Sequence, residues 1–490
     1  MRRNKIIIFL FLVFLATLAR SLFLLNSDNF DGSFSMGRVT AALCILENPG
    51  LRLNFDGNSS ILYHYLLATA LYFWRNPLIT PRIFTMLFGI LLIIPFYLLI
   101  EMLFNQEIAF YSSILLSFYP LHVMQSTLST SDVVFHFFFF ACLYYFFKFK
   151  LKEKKVFWLI LSAILFNIAA MLRFESWVFI PLLSIFLYKD GKRYSAAFFL
   201  LSLILPSIWL YLCYRYRGNI FYSFIVPART AHTEILLQRV PYAKQIFGWL
   251  NILYKTLGPI IVICGIFGML YSIAKKRFLH LTLLFLYLYS LYTINALTER
   301  MWYNYRYSIL LGLLILPYSV LCIEKISVPL RLKPIILFLP FIFFSMLGFK
   351  NITSRYIFRS TLPVEIKEIA QWLKVNVSSR GKLILSSDRL DASEQDIVVR
   401  SGISPKNFFI VSTPLTGPLT TEEDIRRYIN YEKPRYLILN SSSFLQGVLN
   451  FDMSQKNLSE LGYRFELVYA SGDIPDFGKF NIYKIYYQNN

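Results

Sequence analysis

Charge is scarce in this sequence. Only 16% of its 490 residues are charged, against about 25% in soluble domains. With 56% hydrophobic and 18% aromatic residues, most of the chain cannot face water. Cysteine is sparse too. Four of the five (Cys44, Cys142, Cys213, Cys264 and Cys322) lie in apolar stretches and none follows residue 350, which excludes a disulfide framework or a cysteine-rich metal site. No internal repeat is present, and the last third contains no GxGxxG, P-loop or catalytic triad.

The charges that exist are unevenly placed. Of 28 acids, 13 precede position 351 and 15 follow it, while Lys+Arg divide 32 to 17. The net charge of +21 therefore belongs almost wholly to the apolar part. It reads as loop charge under the positive-inside rule, with no nucleic-acid partner implied.

Apolar runs long enough to approach the roughly 20 residues of a membrane helix fall near 5–25, 82–104, 108–126, 132–147, 156–172, 174–188, 194–214, 249–273, 278–297, 307–323 and 334–350. The expected architecture is a polytopic α-helical membrane protein of about 11 spans over 1–350, followed by a soluble α/β domain over 351–490. Met1-Arg2-Arg3-Asn4-Lys5 could open a signal peptide, but the apolar run continues to Leu25 without a small-residue cleavage site, so it reads as an uncleaved first span. Arg2-Arg3, Lys148 to Lys155, Lys189 to Arg193, Lys275 to Arg277 and Lys325 to Lys333 all fall on one side, which the charge rule makes cytoplasmic. The N-terminus is then cytoplasmic. The opposite side receives a long first loop (26–81), the turns near 127–132 and 173–176, the loops 215–248 and 298–306, and the C-terminal domain.

In that domain, Thr361 and Pro363 suit the start of a helix running through Trp372. Strand-like runs follow at 383–386, 407–412, 435–440, 464–470 and 480–487, with a second helix starting at Thr420-Thr421-Glu422-Glu423. This alternation predicts a layered sheet, and without a catalytic motif the domain reads as a docking or acceptor-positioning module.

Acids are the scarce resource of the membrane part, so their positions carry information. The outer side holds Asp28, Asp31, Glu47, Asp56, Asp132, Glu175, Glu234 and Glu299, and ionisable residues at a membrane boundary are functional candidates. Asp132 ends the run Ser129-Thr130-Ser131-Asp132 between two apolar spans. Taken alone, it could equally cap the next helix. Arg38, Arg82, Arg173, Arg300 and Arg306 gather on the same side. Arginine suits a phosphate head group through paired hydrogen bonds, though any one of these could simply snorkel to lipid head groups.

These landmarks, in order, resemble the GT-C superfamily of polyprenyl-phosphate-sugar-dependent glycosyltransferases. The branch they look closest to is that of the dolichyl-phosphate-mannose protein mannosyltransferases and aminoarabinose transferases. Asn29-Phe30-Asp31-Gly32 stands where that family has its first acid. Ile61 to Leu67, with Tyr63 and His64, is similar to its "PPLYYWLL" stretch, and Pro81-Arg82-Ile83-Phe84 to its "ARLPS". Phe118 to His122 followed by Ser129 to Asp132 looks like the turn bearing its second acid. Leu172 to Trp177 is similar to "TRYEGW", and Asn304 to Tyr307 to "RYLLPLLP". The resemblance covers residues 1 to about 350 and leaves the sugar and acceptor unspecified.

The resemblance implies an inverting transfer of a sugar from a polyprenyl-phosphate donor to a protein, lipid or cell-wall acceptor at the outer face of the cell envelope. Asp31 and Asp132 are the implied catalytic residues. Arg82, Arg173, Glu175, Arg306, Tyr307 and His64 are the implied donor-phosphate and substrate contacts, although a histidine in an aromatic-rich segment is often structural. Membrane lipids are the other expected partner. No cofactor is expected, although Asp31 and Asp132 could converge on a divalent cation, as in the oligosaccharyltransferase branch. Two rival readings are oligosaccharyltransferase-like transfer of a whole glycan and a non-enzymatic lipid-glycan transporter or flippase. Against the first, the Trp-Trp-Asp-Tyr-Gly signature is missing, since Trp372 is the only tryptophan of the last third. Against the second, polar residues gather at span ends and not in paired, broken helices at midplane.

Overall fold

Apolar composition forces the first two-thirds of the chain into helix, because backbone groups in a bilayer must be satisfied within their own segment. The structure, a computed structural model, describes residues 2–28, 34–51, 61–225, 228, 242–301, 305–325, 335, 346, 362–378, 381–386, 394–411, 421–440, 457–460, 463–474 and 478–487. The chain divides into two compact units. One comprises Met1–Asn26, Phe55–Leu66 and Arg82–Phe358, the other Ser27–Asn54, Leu67–Pro81 and Arg359–Asn490.

Among the described residues, the helices up to residue 325 are α1 (Arg2–Leu25), α2 (Phe34–Glu47), α3 (Ile61–Phe73), α4 (Thr80–Leu91), α5 (Ile93–Leu103), α6 (Gln106–Phe118), α7 (Pro120–Ser126) and α8 (Ser131–Leu151). They continue with α9 (Val156–Leu172), α10 (Phe179–Tyr188), α11 (Lys192–Ser202), α12 (Ile204–Arg217), α13 (Tyr242–Leu257), α14 (Pro259–Ala274), α15 (Leu279–Leu297) and α16 (Ser308–Lys325). Six segments among the described residues are long and apolar enough to cross a bilayer: Lys5–Leu25, Thr80–Leu103, Ser131–Leu151, Lys192–Arg217, Leu279–Leu297 and Tyr305–Lys325. Shorter apolar helices cover Ile61–Phe73, Val156–Leu172, Phe174–Tyr188 and Pro259–Ala274. The chain is a multi-pass membrane protein. The expected span at 334–350 lies outside the described residues.

Prolines explain where the long segments break. Pro95 has no N–H to offer the carbonyl four residues back, and its ring crowds that oxygen. The residue four back is Leu91, where α4 ends. Pro206 stands in the same relation to Ser202, the last residue of α11. Pro120 forces Tyr119 to an extended ψ of 109°, so the run expected at 108–126 becomes α6 and α7. Glycine brings α14 and α16 together: a Cβ on Gly268 would fall 2.1 Å from the Tyr318 carbonyl oxygen. Small residues let membrane helices approach this closely.

The second unit contains a six-stranded sheet in the order β2-β1-β3-β6-β5-β4, built from β1 (Leu383–Ser386), β2 (Phe408–Val411), β3 (Tyr436–Asn440), β4 (Asn457–Glu460), β5 (Tyr463–Ile474) and β6 (Gly478–Tyr486). β1 pairs in parallel with β2 and β3, and the other pairings are antiparallel. Alternate side chains point to opposite faces of a strand. Leu383 and Leu385 accordingly pack with Ile366, Ile369 and Leu373 of α17 (Val364–Asn376) and Ile397 and Val398 of α18 (Glu394–Ser401). Ile384, Leu437 and Leu439 pack with Ile425 and Ile429 of α19 (Glu422–Glu432) on the other face. Thr421 caps α19: its side chain accepts from the Asp424 N–H at 3.2 Å, and Asp424 accepts from the Thr421 N–H at 3.0 Å. Pro363 precedes α17 as its cap residue and does not occupy the first helical turn.

The stretch 26–81 carries more structure than a loop. α3 is an apolar helix, and α2 buries Met36, Val39, Ala42 and Ile45, a three-residue spacing that puts them on one face.

Candidate functional site

Arg173 organises the site. It ends α9 in an extended conformation, φ −147° and ψ 117°, and leads into a 3-10 helix, Phe174–Val178. The orphan carbonyls of a helix end need donors. Here the Trp177 indole N–H donates to Ala170 O at 2.9 Å, and the Ser176 hydroxyl to Arg173 O at 2.8 Å. This turn aims the guanidinium inward. Its Nε and Nη2 donate to the two carboxylate oxygens of Glu175 at 3.1 and 2.7 Å, and its Nη1 donates to Asp132 Oδ1.

Asp132 enters from the first turn of α8, whose cap residue is Thr130. A carboxylate is favoured there by the helix dipole. It is almost fully buried, whereas the Glu175 side chain is 37% exposed. Burial opposes the charge on Arg173, but the carboxylates of Asp132 and Glu175 more than offset it, holding the guanidinium well above its ordinary value. Each Nη carries two hydrogens, so one on Nη1 and one on Nη2 remain beyond these bonds.

The Tyr307 ring lies beneath two cations, with Arg173 5.0 Å and Arg306 5.4 Å from its centre. Both Arg306 and Tyr307 belong to a 3-10 helix, Tyr305–Tyr307, that leads into α16. These groups line one partly open recess within the first unit. The structure thus brings Asp132, Arg173, Glu175, Arg306 and Tyr307 together.

Arg82 and His64 do not line this recess. Arg82 Nε donates to Thr127 O at 2.8 Å and Nη2 to Leu24 O at 3.3 Å, tying the ends of α7 and α1. His64 is buried against Tyr63, whose hydroxyl lies 3.1 Å from that of Thr85. Asp31 lies outside the described residues. Among the described residues, no three His, Cys, Asp or Glu side chains are grouped to hold a metal ion.

Sequence reasoning overlooked His136 and Tyr292, which also line the recess. His136 is one helical turn beyond Asp132, a spacing that could have flagged it. Tyr292 sits inside the apolar run of α15, where nothing local distinguishes it.

Helices long and apolar enough to cross a bilayer are followed in the chain by a C-terminal α/β sheet, with arginines at helix ends. Residues 58–214 match the family model for dolichyl-phosphate-mannose-protein mannosyltransferase. No curated protein matches the chain in sequence. Among solved structures, ArnT from Cupriavidus metallidurans in the apo state superposes with a TM-score of 0.68 at 10% identity, covering 99% of this chain and 98% of that one. The same protein bound to undecaprenyl phosphate gives 0.67 at 10% identity, covering 97% and 98%. The Archaeoglobus fulgidus oligosaccharyltransferase in complex with Zn and sulfate gives 0.59 at 11% identity, covering 88% and 68%. The GT-C resemblance read from the sequence is thus carried by the whole fold.

Proposed function

We propose that this protein is an inverting glycosyltransferase that moves a sugar from a polyprenyl-phosphate donor to an acceptor at the outer face of the membrane. The observation that carries the reading is the recess in which Arg173 and Arg306 share the ring of Tyr307, with Arg173 locked by two carboxylates. Two arginines and two acids balance in formal charge, so the recess is not a general sink for anions. It is a preorganised set of N–H donors, the arrangement that best stabilises charge developing on a leaving group. Support comes from the neighbouring fold that binds undecaprenyl phosphate.

In this reading the acceptor hydroxyl attacks the anomeric carbon as the bond from that carbon to the phosphate oxygen breaks. The electron pair leaves on the polyprenyl phosphate, and the sugar inverts. Arg306 and the remaining Arg173 hydrogens take the phosphate charge. Asp132 and Glu175 hold Arg173 in place. Asp31 removes the acceptor proton, a role that typically contributes about 10²–10⁴-fold. With an ordinary pKa near 4 it acts late, once the hydroxyl has been acidified by bonding to the sugar. The carbonyls that engage Arg82 favour a helix-tying role for it over a phosphate contact, and His64 is assigned to the donor only through the family resemblance.

The orientation belongs to the same proposal: N-terminus cytoplasmic, recess and C-terminal domain outside, with 1–350 and 351–490 as functional domains. Mass spectrometry of surface glycans tests the reading in cells lacking the gene and complemented with wild type or Asp31→Asn. Loss of one glycan, restored by wild type and not by Asp31→Asn, is expected. Full restoration by Asp31→Asn contradicts the base assignment.

A further inference from the structure

The segment after the first membrane helix is fastened to the C-terminal domain at two separate points, all within the second unit. Asp28 accepts from the Leu362 backbone N–H at 3.0 Å and from Lys367 Nζ at 3.0 Å. These donors lie just before and within the first turns of α17, where the helix dipole also favours a carboxylate. At the far end of α2, Glu47 accepts from the Ser404 hydroxyl at 2.6 Å and pairs with Lys406 Nζ at 3.4 Å. Between the two clasps, α2 packs on α18 and on the 3-10 helix Pro405–Asn407.

Each partner is more than 300 residues away in sequence, at separations of 334, 339 and 357. Exposed ion pairs are usually worth little. Two of them flanking a buried apolar face, each reinforced by a hydrogen bond from an uncharged donor, hold Asp28 and α2 on the C-terminal domain. Asp31 follows Asp28 by three residues in the sequence.

We propose that the C-terminal domain positions the first outer segment, with Lys367 and Lys406 as positioning residues for transfer. This rests on the reading of Asp31 given above. A base works only when held within about 1 Å of its productive place, and loss of that placement costs ~10²-fold. The soluble domain would then act on the chemistry without touching the reacting atoms.

The test uses the full chain in lipid nanodiscs and in cells lacking the gene, with the pair Lys367→Glu and Lys406→Glu combined. Expected are faster hydrogen exchange over α2 (residues 34–47), unchanged affinity for undecaprenyl phosphate, and transfer reduced by ~10- to 100-fold. The pair Lys367→Arg and Lys406→Arg, which keeps both charges, retains transfer and slow exchange. Wild-type transfer in the charge-reversed chain overturns the inference, as does loss of undecaprenyl phosphate binding in it, because the effect is then not confined to the segment. Asp31→Asn, run alongside, separates the two claims. If it retains transfer, the reading of Asp31 falls and this inference with it. If it loses transfer while the charge-reversed chain keeps it, the inference alone falls.

Discussion

Arg173 grips Glu175 with two parallel hydrogen bonds, at 3.1 and 2.7 Å, across a single turn of 3-10 helix. The fork uses the planar geometry of a guanidinium, which an ammonium cannot reproduce. Arg173→Lys therefore keeps the charge and loses the grip. Transfer in complemented cells should fall by ~10²-fold, the usual cost of losing one preorganised donor, with the protein still inserted in the membrane. Undiminished transfer would remove Arg173 from the mechanism.

Asp132 tests the same lock from its buried side. Removing one partner of a buried ion pair typically costs about 3–5 kcal/mol, because the other charge is left uncompensated. Asp132→Ala should lower the thermal unfolding temperature in detergent clearly more than Glu175→Ala, since Glu175 is 37% exposed and Asp132 only 4%. Equal effects would mean that water reaches both carboxylates alike.

Tyr307 offers its ring to two cations. Tyr307→Phe keeps the ring face and should leave undecaprenyl phosphate affinity nearly intact. Tyr307→Leu removes it, and loss of even one cation–π contact, at about 0.5–2 kcal/mol, should lower affinity by roughly 2- to 30-fold. The comparison, made by equilibrium binding in nanodiscs, isolates the ring from the hydroxyl.

Acid should loosen the clasp at Asp28. Partial burial raises the pKa of this carboxyl, but the Leu362 N–H and Lys367 outweigh that effect and hold it below its ordinary value. A depressed pKa gives stability that is present above the unfolded value, near 4, and lost as pH falls through the folded one. The difference in unfolding temperature between wild type and Asp28→Asn should thus be widest at neutral pH and close below pH ~4. A gap that persists in acid would show that the charge of Asp28 is not what stabilises the segment.

The contact between α14 and α16 leaves no room at Gly268, where a Cβ would meet the Tyr318 carbonyl oxygen at 2.1 Å. Backbone cannot move aside as a side chain can. Gly268→Ala should destabilise the membrane unit by about 1–3 kcal/mol, seen as a lower unfolding temperature in detergent.

Several residues of the recess could be picked out in the sequence, because they lie at span ends where a charge is conspicuous. Asp132, Arg173 and Arg306 each interrupt an apolar run, and the structure brings all three to one recess. Tyr292 could not be found that way, since a tyrosine inside an aromatic-rich helix carries no local mark. The division at Leu92 was encoded by Pro95 but masked by an apolar run that continues through it. α3 was hidden for a different reason: its 13 residues are too few to read as a span. The clasp between Asp28 and Lys367 has no local signal, because two ordinary surface charges 339 residues apart announce nothing until the chain is folded.

The most direct test of the central claim, that the recess receives the phosphate of a lipid-linked donor, is the dissociation constant of undecaprenyl phosphate for the wild-type chain and for Arg306→Gln, measured in nanodiscs. Loss of a charged hydrogen-bond donor to phosphate is worth about 1.5–3 kcal/mol, so binding at least tenfold weaker is predicted. Equal affinity in the two proteins would contradict the account.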